Sequence, residues 1–227
     1  MGEKVFEVFG ISITNTFLLT LIVSIGVFFF VFLSLRPGKL LPKKLQNFWE
    51  FVLESLYNFF NSITGDVEKT RQIFPLACTL FILIWFCNLL ELIPGLGIFR
   101  FLRSPSSDLN FTFALALISI ISVNALAIKN LGTWNYLKKF ISKDPIMMFA
   151  GVLEGMGELT RIISLTFRLF GNLFAGEILL IVTSFLFAYL LPVPFLGLEV
   201  LVGFIQAFIF STLIVIFYTI ANQHGYE

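Results

Sequence analysis

Charged residues are scarce in this chain of 227 residues. They make up only 13% of it, whereas a soluble domain of this size carries roughly a quarter. Hydrophobic residues make up 58%, and 30 of the residues are phenylalanine. The composition excludes an ordinary water-soluble domain and predicts a protein whose solvent is the lipid bilayer.

Histidine, cysteine and net charge are also limited. His224, Cys78 and Cys87 are too few for a protein-built metal site, so neither a metal nor another cofactor is expected. In a helix the two cysteines would lie about 13 Å apart on opposite faces, which excludes a disulfide between them. The formal net charge of +1 gives no indication of a nucleic-acid partner.

Long apolar stretches predict membrane-spanning helices, because roughly 20 apolar residues in a helix cross the hydrocarbon core. They cover residues 11–35, 73–93, 109–128, 145–190 and 195–222. Residues 42–63 differ, since apolar side chains recur there every three or four positions and polar ones fill the other side. That pattern predicts an amphipathic helix in the membrane interface. The predicted fold is an all-α polytopic membrane protein with about five spans, in one integral membrane domain over residues 1–227.

Lysine and arginine are distributed unevenly between the loops. Residues 36–72 and 129–144 are rich in both, whereas the opposite side has only Lys4, Arg100 and Arg103. Because cytoplasmic loops carry the excess of cations, the N-terminus is predicted outside and the C-terminus in the cytoplasm.

The stretch 145–190 is unusual in length and charge. As one helix it would be roughly 69 Å long, over twice the hydrocarbon thickness, so it is either steeply inclined or broken at a glycine. The candidate break points are Gly151, Gly155, Gly157, Gly171 and Gly176. An ionised group near mid-bilayer costs about 2.5–3.5 kcal/mol, so charges inside this stretch indicate function. They are Glu154, Glu158, Arg161, Arg168 and Glu177.

Helical geometry divides these polar groups between faces. Residues 154, 158, 161, 168 and 172 fall within roughly 80° of one face, whereas Glu177 points nearly the opposite way. In the last stretch Glu199 and Gln206 share a face. A partly desolvated carboxyl can exchange protons near neutral pH, whereas a buried arginine stays cationic. The pattern favours a proton path along carboxyls, with Arg168 as a fixed cation that blocks direct leakage.

Four motifs resemble one family. The run SLTFRLFGNLFAGE at residues 164–177 is similar to the signature of subunit a of the rotary F-type ATP synthase. QAFIF at 206–210 resembles the motif of that family's last helix. NLLELIP at 88–94 and PSSDLNFT at 105–112 resemble its second and third segments. The resemblance covers nearly the whole chain in order.

The resemblance implies a stationary proton-channel subunit whose last two helices, long and steeply tilted, pack against a rotating ring of c subunits. Arg168 matches the essential arginine that separates two offset half-channels. Matches to the outer half-channel are Asn88, Asn172, Glu177, Glu199 and Gln206. Glu154 matches a carboxylate of the inner half-channel, and Glu158 is added because it shares that helix face.

The same resemblance implies the surroundings of the chain. Its partners would be the c-ring, the b subunits of the peripheral stalk, the remaining ATP synthase subunits and the lipid bilayer. Glutamates at both 177 and 199 look bacterial or plastid, which favours a bacterial inner membrane. The chain has no glycine-rich phosphate loop of the Walker type, so it is expected to be a non-catalytic subunit.

Two other classes of protein compete with this interpretation. A secondary transporter would use Arg168 to bind an anionic substrate, but the internal repeats typical of that class are not visible. An intramembrane hydrolase needs buried aspartates or a serine–histidine pair. Asp66, Asp108 and Asp144 lie in loops or at helix ends, and His224 lies in a polar tail.

Single residues also have structural interpretations. Arg168 could form an ion pair with a neighbouring acid, and Arg161 could pair with Glu158 or Glu154 or reach the inner interface. Asn88, Asn172 and Gln206 could hold helices together by hydrogen bonds. Asp108 is expected to cap a helix rather than to line a channel.

Overall fold

The computed structural model describes residues 4–8, 11–14, 20–26, 28–29, 44–91, 108–133, 145–186 and 192–223. Near the N-terminus β1 (Lys4–Val8) pairs antiparallel with β2 (Ile11–Thr14). The predicted start of the first membrane helix at residue 11 is therefore wrong, since the β-branched side chains of β2 favour a strand. Residues 20–26 and 28–29 are helical. The rest of the predicted span 11–35 lies outside the described residues.

Five long helices follow. They are α1 (Lys44–Thr64), α2 (Val67–Glu91), α3 (Leu109–Leu131), α4 (Pro145–Leu186) and α5 (Pro192–Gln223). In the described part of the chain four of them, α2 to α5, are long and apolar enough to cross a membrane. The prediction of an all-α polytopic membrane protein is confirmed.

Local side-chain chemistry fixes two helix starts. Gly65 adopts a φ of 66° at the corner between α1 and α2, a left-handed conformation that glycine adopts without steric cost. The Thr70 hydroxyl lies 2.7 Å from the Asp66 carbonyl oxygen and 3.0 Å from Asn61 Oδ1, either of which can accept its single hydrogen. Asp108 caps α3, as predicted, by accepting from the Asn110 backbone N–H at 3.1 Å.

Helix α4 runs unbroken for 42 residues, which corresponds to about 63 Å. The length of this stretch allowed either a steep inclination or a break at a glycine, and the prediction of a break is therefore wrong. An unbroken helix of this length fits a hydrocarbon core of roughly 30 Å only when it is steeply inclined or extends well beyond the core.

The five helices form one packed bundle in which α2 and α5 run antiparallel. Phe81 of α2 meets Phe204 of α5 at a ring-centroid distance of 5.7 Å, and the Asn88 side chain reaches the Gly203 backbone. Helix α3 packs against both α4 and α5. The core consists of apolar side chains from every helix, so burial of apolar surface against neighbouring helices fixes their relative positions.

A hydrogen-bonded network, here called the end network, ties three helix ends together. Asn130 of α3 donates to Gln72 of α2 at 2.8 Å and to Asn222 of α5 at 3.1 Å. The Tyr218 hydroxyl of α5 donates to the same Gln72 oxygen at 2.8 Å. The start of α2 and the ends of α3 and α5 therefore lie on one side of the bundle.

Helix α1 buries part of its apolar face against protein. Trp49 and Phe60 are buried, and ring contacts join Tyr57 to Phe74 at 5.2 Å and Trp49 to Phe86 at 6.3 Å. The order of these contacts shows that α1 runs antiparallel alongside α2. Its location in the membrane interface stays a prediction.

Candidate functional site

Buried polar side chains meet between α2 and α5. Glu199 is 9% exposed, and neither of its carboxyl oxygens has a hydrogen-bond partner among the described residues. Gln206 is 5% exposed, and its amide nitrogen Nε2 also lacks such a partner in that part of the chain. Glu199, Gly203 and Gln206 are spaced by four and three residues, so they occupy one face of α5.

Asn88 of α2 is oriented towards this face. Its Nδ2 donates to the Gly203 carbonyl at 3.0 Å, and it is 3% exposed. A Cβ at position 203 would lie 3.0 Å from the Asn88 Cβ, so glycine permits the close approach of the two helices. The hydrogen bond fixes the amide and leaves Oδ1 buried, without a hydrogen-bond partner in the described structure. We call Asn88, Glu199 and Gln206, together with Glu177, the polar cluster.

Helix α4 contributes Glu177 to the polar cluster. A Cβ added at Gly176 would overlap Glu199 Oε1 and lie 3.2 Å from its Cδ, so α4 touches the Glu199 carboxyl at this glycine. The adjacent Glu177 is partly buried and interacts electrostatically with Glu199. The structure therefore brings Glu177, Glu199 and Asn88, predicted separately from sequence, to one region between three helices.

Arg168 lies nine positions before Glu177 on α4, about 13 Å along the helix and on nearly the opposite face. Its side chain is exposed, and within the described ranges it forms neither an ion pair nor a hydrogen bond. The alternative of a structural ion pair therefore has no partner in this part of the structure. Asn172, one turn further on, is partly buried.

Helix α4 has an exposed apolar stripe, and its member Phe167 lies about 100° around the helix from Arg168. Large apolar side chains recur along this stripe every three or four residues over most of the helix, and Phe167 is 59% exposed. The stripe comprises Val152, Met156, Leu159, Ile163, Phe167, Phe174, Ile178, Ile181 and Phe185. Such a continuous apolar surface is suited to lipid or to another apolar protein surface.

A second polar site lies nearer the start of α4. The Asn124 side chain of α3 donates to Glu158 at 3.0 Å, and Glu154 is partly buried one turn before Glu158. The Arg161 guanidinium lies 4.7 Å from the centroid of the Phe217 ring on α5, which is a cation–π contact. Glu158 thus connects α4 to α3, and Arg161 connects α4 to α5.

Asn124 was not among the predicted site residues, although an amide inside an apolar span is a visible signal in the sequence. The role of Gly176 beside Glu199 was not predicted either, because nothing in the sequence indicates which side chain faces a glycine. The described residues contain no group of three or more His, Cys, Asp and Glu side chains arranged to hold a metal. Glu91 is the last residue of α2, and its side chain is not among those that the structure describes.

The bundle and its polar cluster define a polytopic helical membrane protein with ionisable side chains between its spans. Residues 16–219 match the family described as ATP synthase A chain, and the chain belongs to that family.

Several curated relatives are named ATP synthase subunit a. That of Moorella thermoacetica is 35% identical over 98% of this chain and 97% of its own length. That of Syntrophobacter fumaroxidans is 38% identical over 83% and 76%, respectively. That of Legionella pneumophila is 31% identical over 96% and 93%.

Proposed function

We propose that this chain is the stationary proton-channel subunit in the membrane sector of an F-type ATP synthase. Family membership supports the membrane-sector role. The observation that carries the proposal is the polar cluster, in which Glu177 and Glu199 are held together between helices that are otherwise apolar. Burial of two carboxyls in a membrane protein costs free energy, so such a pair indicates a pathway for protons or ions.

The polar cluster would form the outer half-channel. Buried polar atoms are almost always satisfied by a partner or by ordered water. Both Glu199 oxygens, Asn88 Oδ1 and Gln206 Nε2 have no hydrogen-bond partner among the described residues, so water is the partner that fits them. A water-filled path past these groups would carry protons from outside to a carboxyl of the ring.

The pair formed by Glu158 and Asn124, with Glu154 one turn away, would belong to the inner half-channel. Arg168 would separate the two paths. Its exposure beside the apolar stripe leaves it accessible to a ring carboxylate, and Asn172 follows on the same face. Two unit charges 4 Å apart attract by about 4 kcal/mol at an effective dielectric of about 20, enough to favour ionisation of that carboxylate.

The apolar stripe on α4 would face the ring of c subunits, with the b subunits and the remaining ATP synthase subunits as further partners. The driving force is about 2.3 kcal/mol per proton for each 100 mV of membrane potential. ATP chemistry would belong to other subunits, so this chain itself would be non-catalytic.

The proposed location is the bacterial inner membrane, with one integral domain over residues 1–227. The N-terminus would be outside and the C-terminus cytoplasmic. The end network supports this orientation, because it joins the start of α2 and the end of α3 to the C-terminal end of α5. The cation-rich loops 36–72 and 129–144 lead into those same helix ends.

The experiment that tests the outer path is Glu199→Gln. The amide keeps the shape of the side chain but cannot bind and release a proton, so we expect passive proton conduction to fall at least about tenfold, equivalent to about 1.4 kcal/mol. Conduction is measured in vesicles stripped of the catalytic head, under an imposed potassium diffusion potential. Glu54→Gln, the same change at an exposed position of α1, should leave the rate unchanged. Normal conduction in an assembled Glu199→Gln complex would contradict the proposal.

Glu158→Gln tests the inner path. Glutamine can still accept the hydrogen bond from Asn124, so packing is retained while proton exchange is lost. We expect ATP-driven pumping to fall roughly threefold to tenfold, which corresponds to about 0.7–1.4 kcal/mol. The matched control is Glu50→Gln, at an exposed position of α1. An unchanged pumping rate would remove Glu158 from the inner half-channel and leave Glu154 as its carboxylate.

A further inference from the structure

Trp85 of α2 carries a polar atom that the proposed function does not use. Its indole nitrogen Nε1 is buried and has no hydrogen-bond partner among the described residues. An indole N–H can only donate, and an unsatisfied buried donor costs free energy that proteins rarely leave uncompensated. Some acceptor outside the described protein atoms is therefore required beside this nitrogen.

Three aromatic side chains hold the indole in one orientation. Phe81 stacks on it at a centroid distance of 5.9 Å and an interplanar angle of 27°. Phe204 of α5 and Phe86 make edge contacts at 5.7 Å and 5.8 Å. Because these contacts fix the ring, they also fix the direction in which its N–H points.

The position of Trp85 adds it to the polar cluster. It lies one turn before Asn88 on the same face of α2. The Phe204 ring, which contacts Trp85, directly follows Gly203, whose carbonyl accepts the hydrogen bond from Asn88. Since α2 and α5 are antiparallel, Trp85 lies near the depth of Gln206, beyond Asn88 on the side away from the end of α2. Two buried donors, Trp85 Nε1 and Gln206 Nε2, therefore lie at about the same depth, one turn away from the buried acceptor Asn88 Oδ1.

We propose that the Trp85 indole N–H donates to a water molecule at the inner floor of the outer half-channel. A water that accepts from Trp85 keeps both of its hydrogens for acceptors, of which Asn88 Oδ1, one turn further along α2, belongs to the polar cluster. Trp85 takes up no proton, so it is a positioning residue that orients the water along which protons pass. This inference rests on the proposed function of the polar cluster.

Removal of the N–H alone tests the positioning role. Trp85→Phe removes the donor together with part of the ring, and β-(3-benzothienyl)alanine at position 85 replaces the N–H by sulfur in a ring of the same shape. We expect passive proton conduction to fall threefold to tenfold in both variants, with assembly and ATP hydrolysis unchanged. Trp49→Phe, at another buried tryptophan that contacts Phe48 and Phe86, should conduct normally. Normal conduction with the benzothienyl side chain would overturn the inference.

A spectroscopic measurement separates this inference from the proposed function. In the full complex the chain carries Trp49→Phe and Trp134→Phe, so that Trp85 is its only tryptophan, and subunits that contain other tryptophans are isotopically labelled. Hydrogen–deuterium exchange of the indole N–H is followed by ultraviolet resonance Raman. Exchange within seconds of mixing with D₂O is the result expected for an N–H that faces water, and exchange over hours would overturn the inference. Rapid exchange in a chain that conducts no protons would reject the proposed function and retain the water at Trp85.

Discussion

Replacement of Arg168 by lysine or by alanine is expected to abolish ATP-driven proton pumping in vesicles while the complex still assembles. Alanine removes the positive charge, and lysine keeps a charge that can be lost when it is desolvated. The arginine charge is permanent, so in the proposed mechanism only arginine would both attract a ring carboxylate and block direct passage. Loss of an attraction of about 4 kcal/mol at an effective dielectric of about 20 corresponds to about a thousandfold in rate.

The matched control for this experiment is Arg161→Lys. Arg161 belongs to the same helix but lies over the Phe217 ring, where a lysine ammonium can keep a cation–π contact. We expect pumping in this variant to stay within about threefold of wild type, because loss of about 0.5 kcal/mol from a weakened cation–π contact lies within that range. Normal pumping in either Arg168 variant would reject the separator role and restore the secondary transporter, with Arg168 as its anion site.

Gly176→Ala is expected to reduce proton conduction by at least about tenfold. The added Cβ would overlap Glu199 Oε1 and lie 3.2 Å from its Cδ, so either the carboxyl or helix α4 must shift. A carboxyl that is displaced from its position beside Gly176 would interrupt the proposed outer path. Conduction is measured in head-stripped vesicles, with the amount of assembled subunit determined in parallel.

Two further variants separate this collision from a general effect of alanine. Gly155→Ala makes the same change in α4, at a position where an added Cβ meets nothing within 4 Å, and should conduct normally. Glu199→Asp shortens the side chain by one methylene. In combination with Gly176→Ala it should restore at least part of the lost conduction. Failure of aspartate to rescue, together with low conduction of Gly155→Ala, would mean that α4 tolerates no added methyl group.

Much of the fold could be predicted from sequence because the bilayer imposes simple length and hydropathy rules. Residues 109–128 were predicted as a span, and α3 covers Leu109–Leu131 with Asp108 as its cap. The start of α2 at Val67 is earlier than the predicted residue 73, since Glu68, Lys69 and Arg71 form a polar first turn outside the apolar run. The strand β2 was missed because a short apolar run has no periodicity that separates strand from helix.

The candidate site was predictable in its residue types but not in its contacts. A carboxyl within an apolar helix is visible in sequence, which is why Glu177 and Glu199 were selected. The contact of Glu199 with Gly176 depends on how two helices pack, and one sequence contains no information on that pairing. The same limit applies to Asn124 and Trp85, because the surroundings of their polar atoms depend on how other helices pack against them.

The continuity of α4 has a mechanical consequence. Arg168 and Glu177 lie on one unbroken helix, so their separation of about 13 Å is set by the stiffness of a hydrogen-bonded rod and not by a loop. In the proposed mechanism, a flexible joint between them would let thermal motion open a shortcut between the two half-channels. A stiff α4 would instead keep the insulating distance constant while torque from the proposed ring acts on its exposed face.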